Sequence, residues 1–149
     1  TKTRFLKKIV HDDPLLGKCI LCGLCVRVCS EIMGTCAINF INRGPFTVVN
    51  TPFYEHNPDC AGCAACARVC PTNAIVFEDT EKDRVMRSWS GTTVPMMTCS
   101  SCNKPFAPEK LMHEIQSRLD PQINEDIRNM CPECRRRYIS RREMKIPIT

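Results

Sequence analysis

The chain has 149 residues, 13 of them cysteine, with 21 basic and 16 acidic side chains and a formal charge of +5. That length suits one ordinary domain or two small ones. Cysteine at this density leaves disulfides, metals or clusters as the organising elements. An odd count, with twelve of the thirteen in C-x-x-C-type groups, argues against a closed disulfide framework. Thiolate ligands need a reducing compartment, so a cytoplasmic protein is expected, with any membrane attachment peripheral and made through a partner. No apolar run approaches bilayer-spanning length, and neither a secretory leader nor direct membrane insertion is expected.

In chain order, residues 1–17 read as a basic extension carrying Lys2, Arg4, Lys7 and Lys8. Residues 18–87 contain an internal repeat. Cys19, Cys22, Cys25 and Cys29 recur as Cys60, Cys63, Cys66 and Cys70, at an offset of 41, with Arg-Val before the last cysteine of each copy. An Ala-Ile pair follows each copy, Ala37-Ile38 and Ala74-Ile75, the first reached after four more residues than the second. Each pair leads into a strand-like run, Ile38–Ile41 and Ile75–Phe77. Asn42-Arg43-Gly44-Pro45 reads as a turn, Phe46–Val49 as a strand, and Arg84–Met86 as the return strand after the polar turn 78–83. Residues 18–98 are neutral, with seven basic and seven acidic side chains, so the positive excess sits at the two ends.

Residues 88–98 show no period and read as a linker to a second module, 99–149. There Cys99, Cys102, Cys131 and Cys134 form two C-x-x-C pairs separated by 28 residues. Pro108 and Glu109 suit the first turn of a helix. Leu111, Ile115 and Leu119 would line one face, with Asp120-Pro121 as the stop. Ile123, Ile127 and Met130 suggest a second short helix. Arg135, Arg136, Arg137, Arg141, Arg142 and Lys145 make a basic tail, read as a solvated or partner-docking face.

The spacing C-x-x-C-x-x-C-x-x-x-C carries specific chemistry. Three cysteines in a tight turn reach three irons of one cubane, and the fourth, at the start of a short helix, completes the other. On that rule Cys19, Cys22, Cys25 and Cys70 hold one [4Fe–4S] cluster, and Cys60, Cys63, Cys66 and Cys29 hold a second. Crossed ligation would make the two copies one folding unit and bring the clusters within tunnelling distance. Small residues, Gly23, Ala61, Gly62, Ala64 and Ala65, would let backbone amides approach the inorganic sulfide. Ile20, Leu21, Val26, Val28, Ile38, Val69 and Ile75 would exclude water. The last four cysteines fit a tetrahedral zinc site, all its ligands thiolates, stapling a module without a core of its own. A rubredoxin-like iron and a third cluster are its competitors; the rubredoxin pattern has glycine after each pair, where Asn103 and Arg135 stand here.

The two copies resemble the dicluster ferredoxins. Residues 18–75 are similar to the dicluster segment of the complex I large iron–sulfur subunit and of NAD-linked hydrogenases and formate dehydrogenases. That resemblance rests on Lys18-Cys-Ile-Leu-Cys-Gly-Leu-Cys-Val-Arg-Val-Cys29, Arg43-Gly44, Thr51-Pro52-Phe53 and the final Cys-Pro-Thr-Asn-Ala-Ile. Cys99–Ala107 with Cys131–Arg135 is similar to the tail of formate-hydrogenlyase-type iron–sulfur subunits. The chain departs from these families in having no cysteine before Cys19, so the upstream [2Fe–2S] and His-plus-three-Cys clusters of the longer members are not expected. Ser30 also stands where the ferredoxin pattern has proline.

The expected fold is α+β: a bacterial 2[4Fe–4S] ferredoxin-like domain with a pseudo-twofold repeat, followed by a small helical module bound to a metal through four cysteines. The expected function is non-catalytic electron relay between flavin- or metal-containing subunits of an oxidoreductase complex, of the hydrogenase, formate dehydrogenase or flavin-based bifurcating type. Two alternatives stand beside it. One is a diffusible ferredoxin, although free ferredoxins are usually acidic. The other is a nucleic-acid-associated protein using the basic tail, although few aromatics interleave with those arginines and no nucleic-acid partner is expected. Cys36 reads as a buried free thiol near a cluster, His56 and His113 as surface or packing residues, and His11 lacks the cysteines that would make it a ligand. Neither a phosphate loop nor a nucleophilic triad or paired-carboxylate constellation is identifiable.

Overall fold

The computed structural model describes residue 15 and residues 17–119 and 125–143. The basic extension, His11, Asp120-Pro121, Ile123 and Lys145 lie outside the described residues, as does the side chain of Arg142.

Each cysteine copy begins as an irregular loop and ends in one short helical turn, α1 (Leu24–Arg27) and α2 (Ala65–Arg68). The first helix carries on as a wider turn, Val28–Ile32, in which the Ser30 hydroxyl donates to the Val26 carbonyl at 3.0 Å. Pro71 follows the fourth cysteine of the second copy; at Ser30 the backbone N–H is present, so the first helix extends and takes up part of its four extra residues. The sequence expectation put the fourth cysteine at the start of a short helix. Instead Cys25 and Cys66 lie within the helices, Cys29 falls in the extended turn, and Cys70 lies two residues beyond the end of α2.

Two strands follow the first copy. β1 (Asn39–Ile41) pairs antiparallel with β2 (Val48–Asn50), Phe40 opposite Val49. The expected turn is there, a 3-10 turn over Gly44–Phe46 after Asn42 (φ 64) and Arg43, but it takes in Phe46, so the strand expected from Phe46 begins at Val48. After the second copy, β3 (Glu78–Asp79), β4 (Asp83–Met86), β5 (Thr92–Thr98) and β6 (Pro105–Pro108) make an antiparallel sheet in that order. The strand expected at 75–77 thus begins three residues later, although Val76 is held by Ser88 through both its N–H and its carbonyl.

Residues 88–98, read from sequence as linker, are instead among the most enclosed of the chain. Ser88, Trp89 and Thr92 are buried, and β5 alternates buried Thr92, Val94 and Met96 with exposed Thr93 and Pro95. Asn50 Oδ1 accepts from the Thr51 N–H at 2.8 Å and from the Ser90 hydroxyl at 3.2 Å, tying β2 to this segment. The Thr92 hydroxyl donates to the Trp89 carbonyl at 2.6 Å and accepts from the Asn57 N–H at 3.2 Å. These polar groups are buried because each is paired. The core beneath them joins Leu15, Ile38, Val49, Ile75, Met86 and Trp89 with Cys25 and Cys66.

Helix α3 (Glu109–Arg118) starts straight after β6 and packs on β5 and β6. Its expected apolar face is only partly covered: Ile115 stays 42% exposed and, with Leu111, borders an open groove whose other wall holds Ile32 and Met33. Two further helices are described, α4 (Glu125–Arg128) and α5 (Pro132–Glu143). No helix among the described residues is long and apolar enough to cross a membrane.

Candidate metal centres

The loops of the two copies share an unusual backbone. Leu21 (φ 55) and Gly62 (φ 63), 41 positions apart, are both left-handed, and so are the next such pair, Gly23 (φ 76) and Ala64 (φ 56). Each loop therefore uses one glycine and strains one residue with a Cβ, at a cost of roughly 1–2 kcal/mol for the latter. The glycines are not interchangeable with alanine. A Cβ at Gly62 would sit 3.1 Å from Val94 Cβ, and one at Gly23 would sit 3.2 Å from the Phe40 ring. Left-handed residues placed between right-handed ones turn successive N–H groups toward one side, the arrangement that cradles phosphates and iron–sulfur groups.

Cys19, Cys22 and Cys25 of the first copy and Cys70 of the second line a single cavity, closed by Leu15, Val49, Ile75 and Trp89. Around it, the Leu21 N–H points at Cys19 Sγ (3.4 Å) and the Ala74 N–H at Cys70 Sγ (3.3 Å). Burial pushes the Cys25 thiol up to about 11. Against the effect of burial, the Thr72 hydroxyl and the Ala74 N–H hold Cys70 below the usual thiol value.

In the second copy, burial is the main cause that raises Cys60, and the neighbouring Cys63 and Cys29 add to it. Cys66 is raised to about 12 by burial, partly offset by the Trp89 indole N–H, which points at its sulfur at 3.4 Å. Thiols held this high stay protonated without a metal and give up their protons to one, so ligation offsets the cost of burying them.

Cys99, Cys102, Cys131 and Cys134 are different. All four sulfurs lie within 4.8 Å of one another, with Cys102 and Cys131 at 3.9 Å. Among the described residues no other three Cys, His, Asp or Glu side chains gather so closely. Cys99 follows β5 at a turn, and Asn103 takes φ 56, the conformation for which other turns use glycine. The Ser101 and Cys131 N–H groups both donate to Cys99 Sγ. Those donors outweigh the opposing effect of burial and hold Cys99 at about 6. Cys131 immediately precedes α5, whose first residue is Pro132, and Cys134 lies in its first turn. Arg135, expected in a solvated tail, turns inward and donates to the carbonyls of Ile127, Arg128 and Met130. Arg136, Arg137 and Arg141 remain exposed.

Cys36, expected to be buried, is exposed at φ 50; the corresponding Asn73 has the same φ. Both precede a buried Ala-Ile pair, so the position is a turn that aims the next two residues inward. Sequence reasoning missed Trp89 and Thr35, which approach Cys66 and Cys29. Trp89 lies outside the repeat, so only the fold brings it there; Thr35 recurs as Thr72, beside Cys70, two residues before each Ala-Ile pair, and that recurrence was the available signal.

The 4Fe-4S binding domain family matches residues 54–76, a span that contains Cys60, Cys63, Cys66 and Cys70. The chain therefore carries a 4Fe–4S binding domain, of mixed helix and sheet. It is 37% identical over 101 residues to the NADPH-Fe(3+) oxidoreductase subunit alpha of Geobacter sulfurreducens, a match covering 64% of this chain and 11% of that protein. Over 71 residues it is 38% identical to the NADP-reducing hydrogenase subunit HndD of Solidesulfovibrio fructosivorans, 46% of this chain and 12% of that one. Over 79 residues it is 36% identical to an NADH-quinone oxidoreductase subunit of Rhizobium meliloti, 50% and 9%. The chain thus spans about a tenth of the length of these relatives.

Proposed function

We propose that this protein relays single electrons between redox subunits of a larger oxidoreductase, through two [4Fe–4S] clusters in a dicluster arrangement. Cys19, Cys22, Cys25 and Cys70 would hold one, and Cys29, Cys60, Cys63 and Cys66 the other. The observation that carries this reading is the grouping of Cys70 with the first copy's three cysteines and of Cys29 with the second copy's, around backbone nests. The clusters would supply one-electron redox chemistry. The chain's own residues would bind them, shelter them beneath Leu15, Val49 and Trp89, and donate N–H groups to their sulfurs. Relatives named as subunits of NADPH-Fe(3+) oxidoreductase, hydrogenase and NADH-quinone oxidoreductase support partner subunits of that class.

In the same reading Cys99, Cys102, Cys131 and Cys134 hold one structural zinc. Four thiolates about 2.3 Å from one ion stand about 3.8 Å apart, in keeping with the close set here, whereas a cubane spreads its ligands over four irons. A pseudo-twofold dicluster domain followed by this stapled module is the architecture the reading requires.

The test is electron counting. Anaerobically purified protein is reduced with dithionite, desalted and mixed with cytochrome c. About two electrons per chain, with loss of the reduced-cluster paramagnetic signal, are expected. Transfer of none would overturn the relay.

A further inference from the structure

The two cluster positions differ in the charges that face them, and the difference comes from residues outside both cysteine copies. Both positions have hydrogen-bond partners on sulfur. Leu21 serves Cys19, and Ala74 and Thr72 approach Cys70; Trp89 serves Cys66, and Thr35 pairs with Cys29. Among the described residues, the cations that bond a cysteine loop lie on the second copy's side.

Arg84, on β4, reaches under the second copy's loop and donates from Nη1 to the Gly62 carbonyl at 2.8 Å. Its side chain is only 13% exposed and its guanidinium sits 4.9 Å from the centre of the Phe77 ring. Asp79 accepts from Nε and Nη2 at 2.6 and 2.8 Å, fixing the fork in place. The Asp79 hydrogen bond dominates the environment of Arg84. The guanidinium is the member of the pair that bonds the loop, at the Gly62 carbonyl next to Cys63. Lys110, on α3, donates to the Pro58 carbonyl at 2.7 Å and contributes a positive field at Cys60. Lys18 precedes Cys19 but is exposed, as Lys110 is, so water and salt screen both, whereas Arg84 is largely enclosed.

We propose that Arg84, assisted by Lys110, makes the Cys29/Cys60/Cys63/Cys66 position the higher-potential of the two, so that an electron entering the chain comes to rest on the second copy's side. The inference rests on the electron-relay reading. Adding an electron adds one negative charge, and a fixed cation in a poorly solvated setting lowers the energy of that state. Transfer between the positions oxidises one by one electron and reduces the other by one, with no proton or further reactant. Arg84 also holds the Gly62 carbonyl, so a purely structural role has to be separated from a role of charge.

The experiment is a redox titration followed by electron paramagnetic resonance, on the anaerobically purified full chain, with iron and sulfide measured first. Wild type should show two one-electron steps. Arg84→Gln should move the more positive step to lower potential and leave the other in place. Arg84→Lys, which keeps the charge, should restore most of the shift. Lys110→Gln should move the same step by less, because its ammonium is exposed. Cys63→Ser assigns the step by perturbing the same signal. A shift of the more negative step in Arg84→Gln, or equal shifts in the Gln and Lys variants, would overturn the proposal. If Arg84→Gln fails to load iron, Lys110→Gln decides, and an unmoved upper step there overturns it. Fewer than about eight irons in wild type would instead overturn the relay reading itself.

Discussion

The four cysteines at the C-terminal end and the eight before them are written in the same C-x-x-C spelling, yet their sulfurs are arranged differently. Cys99, Cys102, Cys131 and Cys134 draw within 4.8 Å of one another, across a turn after β5 and the start of α5. Of the earlier eight, Cys19, Cys22, Cys25 and Cys70 line a cavity, and left-handed residues stand between the cysteines of both copies. A third cysteine three residues on forces the loop to wrap around something larger than one ion. Where the chain instead leaves in a strand or a helix, the pair closes on a point. On the proposed reading, the nuclearity of each centre follows from the residues after the C-x-x-C pair, not from the pair itself.

Ligand removal should separate the two regions most clearly. Cys66→Ala is expected to lose about half the iron and leave zinc unchanged, read by metal analysis. Cys131→Ala should do the reverse, losing zinc and lowering the melting temperature while the iron count stays. Co-loss of both metals in either variant would show that the two regions fold as one. Next in size is Trp89→Ala, which empties a core position 1% exposed and removes the N–H aimed at Cys66. About 3–5 kcal/mol of stability should disappear in denaturant titration. Gly62→Ala should cost less, about 1–2 kcal/mol from its positive φ, with added crowding against Val94. Smallest is Glu31→Gln. Arg27 and Glu31 are paired at 3.1 Å on an exposed turn, and no measurable change in melting is expected.

Most of the site was readable before the fold. The eight-cysteine repeat, the C-terminal set of four, β1, β4 and the start of α3 follow from spacing, alternation and Pro108-Glu109. The strand at 92–98 was hidden for a physical reason. Thr92, Val94 and Met96 do alternate, but Pro95 cannot donate to a ladder and usually excludes a central strand. Here it stands opposite Asp83 and faces outward. β6 is masked by its own two prolines, Pro105 and Pro108. Helix α5 carries arginines where an apolar stripe would announce it, and its start is fixed by Pro132 beside the metal ligands rather than by a core. Trp89 and Arg84 act on cysteines about twenty residues away in sequence, and only the β4–β5 pairing brings them there.

The decisive measurement is iron, acid-labile sulfide and zinc per chain on anaerobically purified protein. Two cubanes and one structural ion require about eight irons, eight sulfides and one zinc. About twelve irons with no zinc would contradict that arrangement, because the close-set C-terminal cysteines would then hold a third cluster.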